Sequence, residues 1–255
     1  MKLFDTHAHL DDKRFDEDRD SVIMQCMVDG VSLILNAGSN IDTSVKSVSL
    51  AEKYECIYAS VGVHPHDAST MDKDSLSILA EMADNPKVVA IGEIGLDYYY
   101  DFSPRDIQKQ RFIEQIDLAR QLKLPVIIHD RDSHGDVMDI FKKTKIEEVG
   151  GVLHSFSGSV EMARECLKMG LYISIAGPVT FKNAVKTLEV VKEVPMDMLL
   201  IETDSPYLTP VPHRGKRNYP GYVRFVAEKV AELKGISVEE VAQKTLENGK
   251  RFFRI

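Results

Sequence analysis

The feature that most constrains the fold is a rhythm. Short apolar runs alternate with longer amphipathic ones along all 255 residues, with no low-complexity stretch or linker between them. Such alternation marks βα units, whose strands pair in parallel beneath covering helices. Strands are expected from residue 3 and over residues 32–38, 56–63, 87–92, 124–129, 151–154, 171–175 and 198–202. Helices are expected over residues 18–30, 72–85, 135–148, 159–169, 183–191 and 222–234. Another should run from an Asn40 N-cap to about residue 54, and a further one from Ser103 as cap, with Pro104 in the first turn, to residue 123. Ser237 with Glu240 reads as a capping box opening the last helix. About eight units fill nearly the whole length and no glycine-rich dinucleotide fingerprint is present. A closed (β/α)8 TIM barrel, one domain over residues 1–255, is therefore expected in preference to an open doubly wound sheet.

Composition narrows the setting. With 44% hydrophobic and 28% charged residues, the chain can bury a sizeable core. No apolar run approaches the ~18 residues needed to cross a bilayer, and the start lacks a signal peptide's apolar core, so a cytoplasmic protein is expected. Cys26, Cys56 and Cys166 are odd in number and far apart, which suits buried thiols rather than disulfides or a cysteine zinc site. The net charge of −8 leaves no general positive field for nucleic acid, so any such contact must be local.

Chemistry concentrates where strands should end, the active rim of α/β barrels. His7 and His9 alternate along an extended strand and so point the same way, as a metal site requires. Glu93 follows the fourth strand, His129 closes the fifth, His154 the sixth, and Asp204 follows the eighth. Four imidazoles and two carboxylates suit zinc, manganese, iron or, less comfortably, magnesium. Six ligands exceed the needs of one tetrahedral ion, and a bridging carboxylate would let two ions sit ~3.5–4 Å apart. On the same rim, His64 and His66 flank Pro65 and could touch substrate or merely brace their loop. Arg131 could grip a phosphate or pair with Asp130 or Asp132, and His134 is expected to face solvent. The basic run 212–218, with His213, Arg214, Lys216 and Arg217, follows Asp204 and could meet phosphates.

Five motifs spread along the chain carry a resemblance: Asp5-Thr6-His7-Ala8-His9-Leu10, Gly62-Val63-His64-Pro65-His66, Gly92-Glu93-Ile94-Gly95-Leu96-Asp97-Tyr98, His154-Ser155-Phe156-Ser157-Gly158 and Glu202-Thr203-Asp204-Ser205-Pro206-Tyr207-Leu208. The sequence resembles the TatD family of metal-dependent deoxyribonucleases, within the amidohydrolase-like barrels. The resemblance implies His7, His9, Glu93, His129, His154 and Asp204 as ligands of two divalent ions (Zn, Mn or Mg), with Glu93 bridging. Ser155 departs from the cysteine found in many members and leaves the ligands untouched. The implied reaction is attack of an activated water on DNA or a small phosphodiester, with Asp204 as proton acceptor. A C–N or ester hydrolase, an amidohydrolase or aminoacyl-ester deacylase on the same barrel, is the alternative. A monomer or weak homo-oligomer without membrane contact is expected.

Overall fold

The computed structural model describes residues 1–255. In chain order the elements are β1 (Leu3–Ala8), α1 (Arg19–Val28), β2 (Val31–Ala37), α2 (Ile41–Lys53), β3 (Ile57–Val61), α3 (Ser75–Ala83), β4 (Val88–Asp97), α4 (Arg105–Leu122) and β5 (Val126–Arg131). They continue with α5 (His134–Thr144), β6 (Gly151–Leu153), α6 (Val160–Lys168), β7 (Tyr172–Ile175), α7 (Val185–Glu193), β8 (Leu199–Ile201), α8 (Val223–Lys234) and α9 (Val238–Phe253). The strands form one sheet in the order β1 to β8, and the pairings are parallel. This is the (β/α)8 TIM-barrel class. None of its helices is long and apolar enough to cross a membrane.

The chain divides into two compact units. One comprises Met1–Asn36, His154–Lys168 and Tyr172–Ile255. Here β1 pairs with β2, β7 with β8, and Ala8 bridges to Ser205 just past β8. β1 is buried along its whole length, polar residues included. Asp5 survives there because Thr203 donates both its N–H (2.8 Å) and its hydroxyl (2.5 Å) to the carboxylate. Burial nevertheless pushes the Asp5 carboxyl well above its ordinary range, outweighing those bonds. α9 lies close on β1, where a Cβ on Gly249 would come within 2.5 Å of the Phe4 ring. Only a glycine lets the helix approach so near. α1 buries Val22, Ile23 and Cys26 and leaves Met24, Met27 and Val28 exposed.

The other unit comprises Ala37–Leu153 with Met169–Leu171 and pairs β3 with β4, β4 with β5, and β5 with β6. Asn40 caps α2 as expected, in a reciprocal box with Thr43. Two expectations fail here. β4 does not stop at Gly92 but runs to Asp97, so Glu93 lies within the strand. Two glycines of β4 are places of close backbone approach: a Cβ on Gly95 would lie 2.0 Å from His129 O, and one on Gly92 2.6 Å from Ile127 Cβ. Ser103 does not cap α4, whose first turn follows Pro104 without a side-chain cap. Its buried hydroxyl instead donates to His66 O (2.9 Å) and accepts from Ser69 N (3.0 Å), tying two loops together.

Candidate metal centres

In the first unit, His7 near the end of β1 and His9 just past it come to one place. Their Nε2 atoms are 3.2 Å apart. Asp204 Oδ1 lies 3.4 Å from His9 Nε2 and 3.8 Å from His7 Nε2. Donors around a tetrahedral ion with bonds near 2.0–2.1 Å are separated by about 3.3 Å, so this triangle has the right size for one divalent ion. Asp204 reaches it through a left-handed backbone (φ 55°), pinned by its N–H donating to His7 O at 2.9 Å. Burial raises its carboxyl, but the His9 hydrogen bond and the charges of His154, His9 and His7 outweigh that and hold it below the ordinary range. Asp204 is therefore ionised at neutral pH.

His154, just past β6, stacks on His7 with centroids 4.1 Å apart. Its Nδ1 is 3.2 Å from Glu202 Oε1, the same oxygen that accepts Ser155 N at 2.8 Å, while Ser174 Oγ donates to Oε2. Glu202 is buried, and a carboxylate at Nδ1 leaves Nε2 as the lone-pair nitrogen. No local pattern in the sequence marks Glu202 as the partner of His154, because the two lie on different strands' ends.

In the second unit, Glu93, His129 and His64 form another donor group. Glu93 Oε1 lies 2.7 Å from His129 Nδ1 and 3.3 Å from His64 Nε2, and the three donor atoms all fall within 4.8 Å of one another. Burial pushes His64 down to about 4, beyond what Glu93 recovers. His64 is therefore a neutral imidazole at pH 7, as a ligand must be. The sequence leaves His64 between substrate contact and a loop brace; its Nε2 is grouped with Glu93 and His129 as a set that could hold an ion. Asp97 likewise carries no local sign of its role in the sequence. Its Oδ2 lies 3.0 Å from both His129 Nε2 and His66 Nε2, and its Oδ1 accepts Tyr99 N (3.0 Å) and Tyr100 N (2.8 Å). Burial raises the Asp97 carboxyl, but hydrogen bonds from His129, His66 and Tyr100 drive it far below the ordinary range. It is a permanent anion at the foot of the loop after β4.

The remaining residues separate. Arg131 lies over the rings of Tyr99 (4.1 Å) and Tyr100 (4.8 Å). Asp130 faces His134 Nδ1 at 2.7 Å, and that imidazole is only partly exposed. In the first unit, Arg217 grips Asp18 through two nitrogens (2.9 and 2.6 Å) and lies over Phe15, while His213 stacks on Tyr222 at 4.3 Å. Asn218 is buried and donates to Thr203 O (2.9 Å) and Tyr207 O (2.6 Å), fastening the basic run beside Asp204. Arg214, over Phe181 at 4.0 Å, and Lys216 remain exposed.

Fold and donor chemistry together define a metal-dependent hydrolase on a (β/α)8 barrel. Residues 4–254 match the family described as TatD related DNase. The chain belongs to that family. It is 53% identical to the uncharacterized metal-dependent hydrolase YabD of Bacillus subtilis, over 99% of each chain. It is 36% identical to the 3'-5' ssDNA/RNA exonuclease TatD of Citrobacter koseri, again over 99% of each. The crystal structure of the TatD homologue YJJV from Escherichia coli K12 superposes with a TM-score of 0.93 at 32% identity, covering 99% of this chain and 98% of that one.

Proposed function

We propose that this chain is a phosphodiesterase that cleaves single-stranded nucleic acid, DNA first, with one divalent ion held in each donor group. The observation that carries the reading is the His7, His9 and Asp204 triangle, sized for an ion and built around an ionised carboxylate. Imidazole-rich sets favour zinc or manganese over magnesium. The bound ions supply Lewis acidity toward a phosphoryl oxygen and bring the acidity of water toward neutrality. In the first group His7, His9, His154 and Asp204 are the ligands, with Glu202 holding the His154 ring; in the second, Glu93 and His129 are joined by His64. The Asp204 carboxylate oxygen left outside the triangle takes the proton of the attacking water and returns it to the leaving oxygen. Exposed Arg214 and Lys216, a few residues past Asp204, supply positive charge for a phosphate chain in an otherwise acidic protein. The exonuclease name of the Citrobacter koseri relative supports the same substrate class.

The test offers metal-loaded protein labelled single- and double-stranded DNA, an aminoacyl ester and a cyclic amide. Chelator-sensitive cleavage of single-stranded DNA, lost in Glu93→Ala, is the expected result. Turnover of the aminoacyl ester or cyclic amide with DNA left intact would replace the reading with the C–N or ester hydrolase.

A further inference from the structure

The loop joining β4 to α4 carries more than a connection needs. Tyr99, Tyr100 and Phe102 are 59%, 47% and 67% exposed, the densest run of exposed aromatic surface on the chain. Scattered exposed apolar residues are ordinary, but contiguous ones mark binding surfaces. These three are also ordered against one another. Tyr100 and Phe102 stack at 5.3 Å with ring planes 28° apart, Tyr99 meets Tyr100 edge-on at 4.9 Å, and His66 supports both Phe102 (4.8 Å) and Tyr100 (5.3 Å). The Arg131 guanidinium covers Tyr99 and Tyr100.

The loop is fixed at its base while its rings face outward. Asp97 Oδ1 accepts the N–H groups of Tyr99 and Tyr100. Tyr98 donates its hydroxyl to Asp136 at 2.6 Å, with Arg105 over its ring at 4.1 Å, and Ser103 ties the far end to the His66 loop. Asp97 Oδ2 faces His66 and His129, so one carboxylate sets the rings in register with the second donor group. Rigid aromatic rings beside an arginine suit flat, polarisable partners: a ring continues the stack while the guanidinium meets the adjoining phosphate.

We infer that Tyr100, Phe102 and Arg131 form a subsite that stacks an unpaired nucleobase of the bound strand. This rests on the phosphodiesterase reading and deepens it. Bases in a duplex already have both faces covered, so the subsite selects strands whose bases are free. A peptide aromatic ring is the competing occupant, and it lacks the phosphate that Arg131 addresses.

The experiment compares a short thymidylate strand with an abasic strand of equal length and charge. Affinity is read by fluorescence anisotropy and hydrolysis by steady-state kinetics, both with metal-loaded protein. Wild type should prefer the thymidylate strand. Phe102→Ala should lower the ratio of the two affinities about tenfold, an effect of the size expected for one stacked base, and the loss should appear in KM rather than kcat. Phe102→Trp should restore the preference. Equal losses on both strands, or none on either, would overturn the subsite while leaving the phosphodiesterase intact. Base-dependent binding without hydrolysis of either strand would sink the phosphodiesterase and leave the subsite standing.

Discussion

At the scale of the residue, the informative side chains are the carboxylates. Glu202 touches His154 at Nδ1, and such a partner fixes the tautomer that a ligand bound through Nε2 would have to adopt. Glu202→Gln keeps an oxygen for Ser155 N but loses the charge. Metal affinity in a chelator competition should fall about 10–100-fold while the thermal transition of the metal-free protein stays close to wild type. Unchanged affinity would reduce Glu202 to a packing residue. Asp204→Asn asks the complementary question. The amide can still ligate but cannot take a proton, so turnover should fall far more than metal content. Parallel losses would leave Asp204 as a ligand alone.

At the scale of the element, β4 decides the shape of its surroundings through what it lacks. Gly95→Ala places a carbon 2.0 Å from His129 O in the β4–β5 pairing, where neither backbone can yield freely. Gly235→Ala, at the end of α8, meets nothing within 4 Å and pays only for its left-handed φ of 67°. Denaturant midpoints should therefore separate them: about 1 kcal/mol for Gly235→Ala, and a further ~1–3 kcal/mol for Gly95→Ala. Similar losses would mean that the strands part without cost. The same glycines explain what the sequence hid. The βα rhythm, the Asn40 cap and the convergence of His7 with His9 are legible because each follows from local period or capping chemistry. The length of β4 is not, since a glycine that permits close approach reads the same as one that ends a strand. Glu202 and Asp204 lie two apart and would share a face of a regular strand; the left-handed turn at Asp204 breaks that alternation, so their different roles emerge only in three dimensions. Asp97 is hidden likewise, because it lies five residues beyond Gly92, where the local pattern ends the strand.

At the scale of the whole molecule, charge sets the terms of binding. With 40 acidic against 32 basic residues, a polyanion meets net repulsion and must be held by a few local cations. The basic run after Asp204 divides in this respect. Arg217 is committed: two of its nitrogens hold Asp18, the pair keeps the Asp18 carboxyl below its ordinary range, and the guanidinium covers Phe15. Phosphate would have to displace that partner. Arg214 has only the Phe181 face beneath it, and Lys216 is exposed, so both are available to a strand entering beside Asp204. Each phosphate contact on a single strand contributes about 0.7 to the slope of log affinity against log salt. The double variant Arg214→Ala with Lys216→Ala should therefore flatten that slope by about 0.7 for each residue, weaken binding alike for thymidylate and abasic strands, and leave metal content unchanged. Arg217→Ala should change the slope less. A salt titration of strand affinity for the three metal-loaded proteins decides it: slopes indistinguishable from wild type for the double variant would place the phosphate path away from this loop.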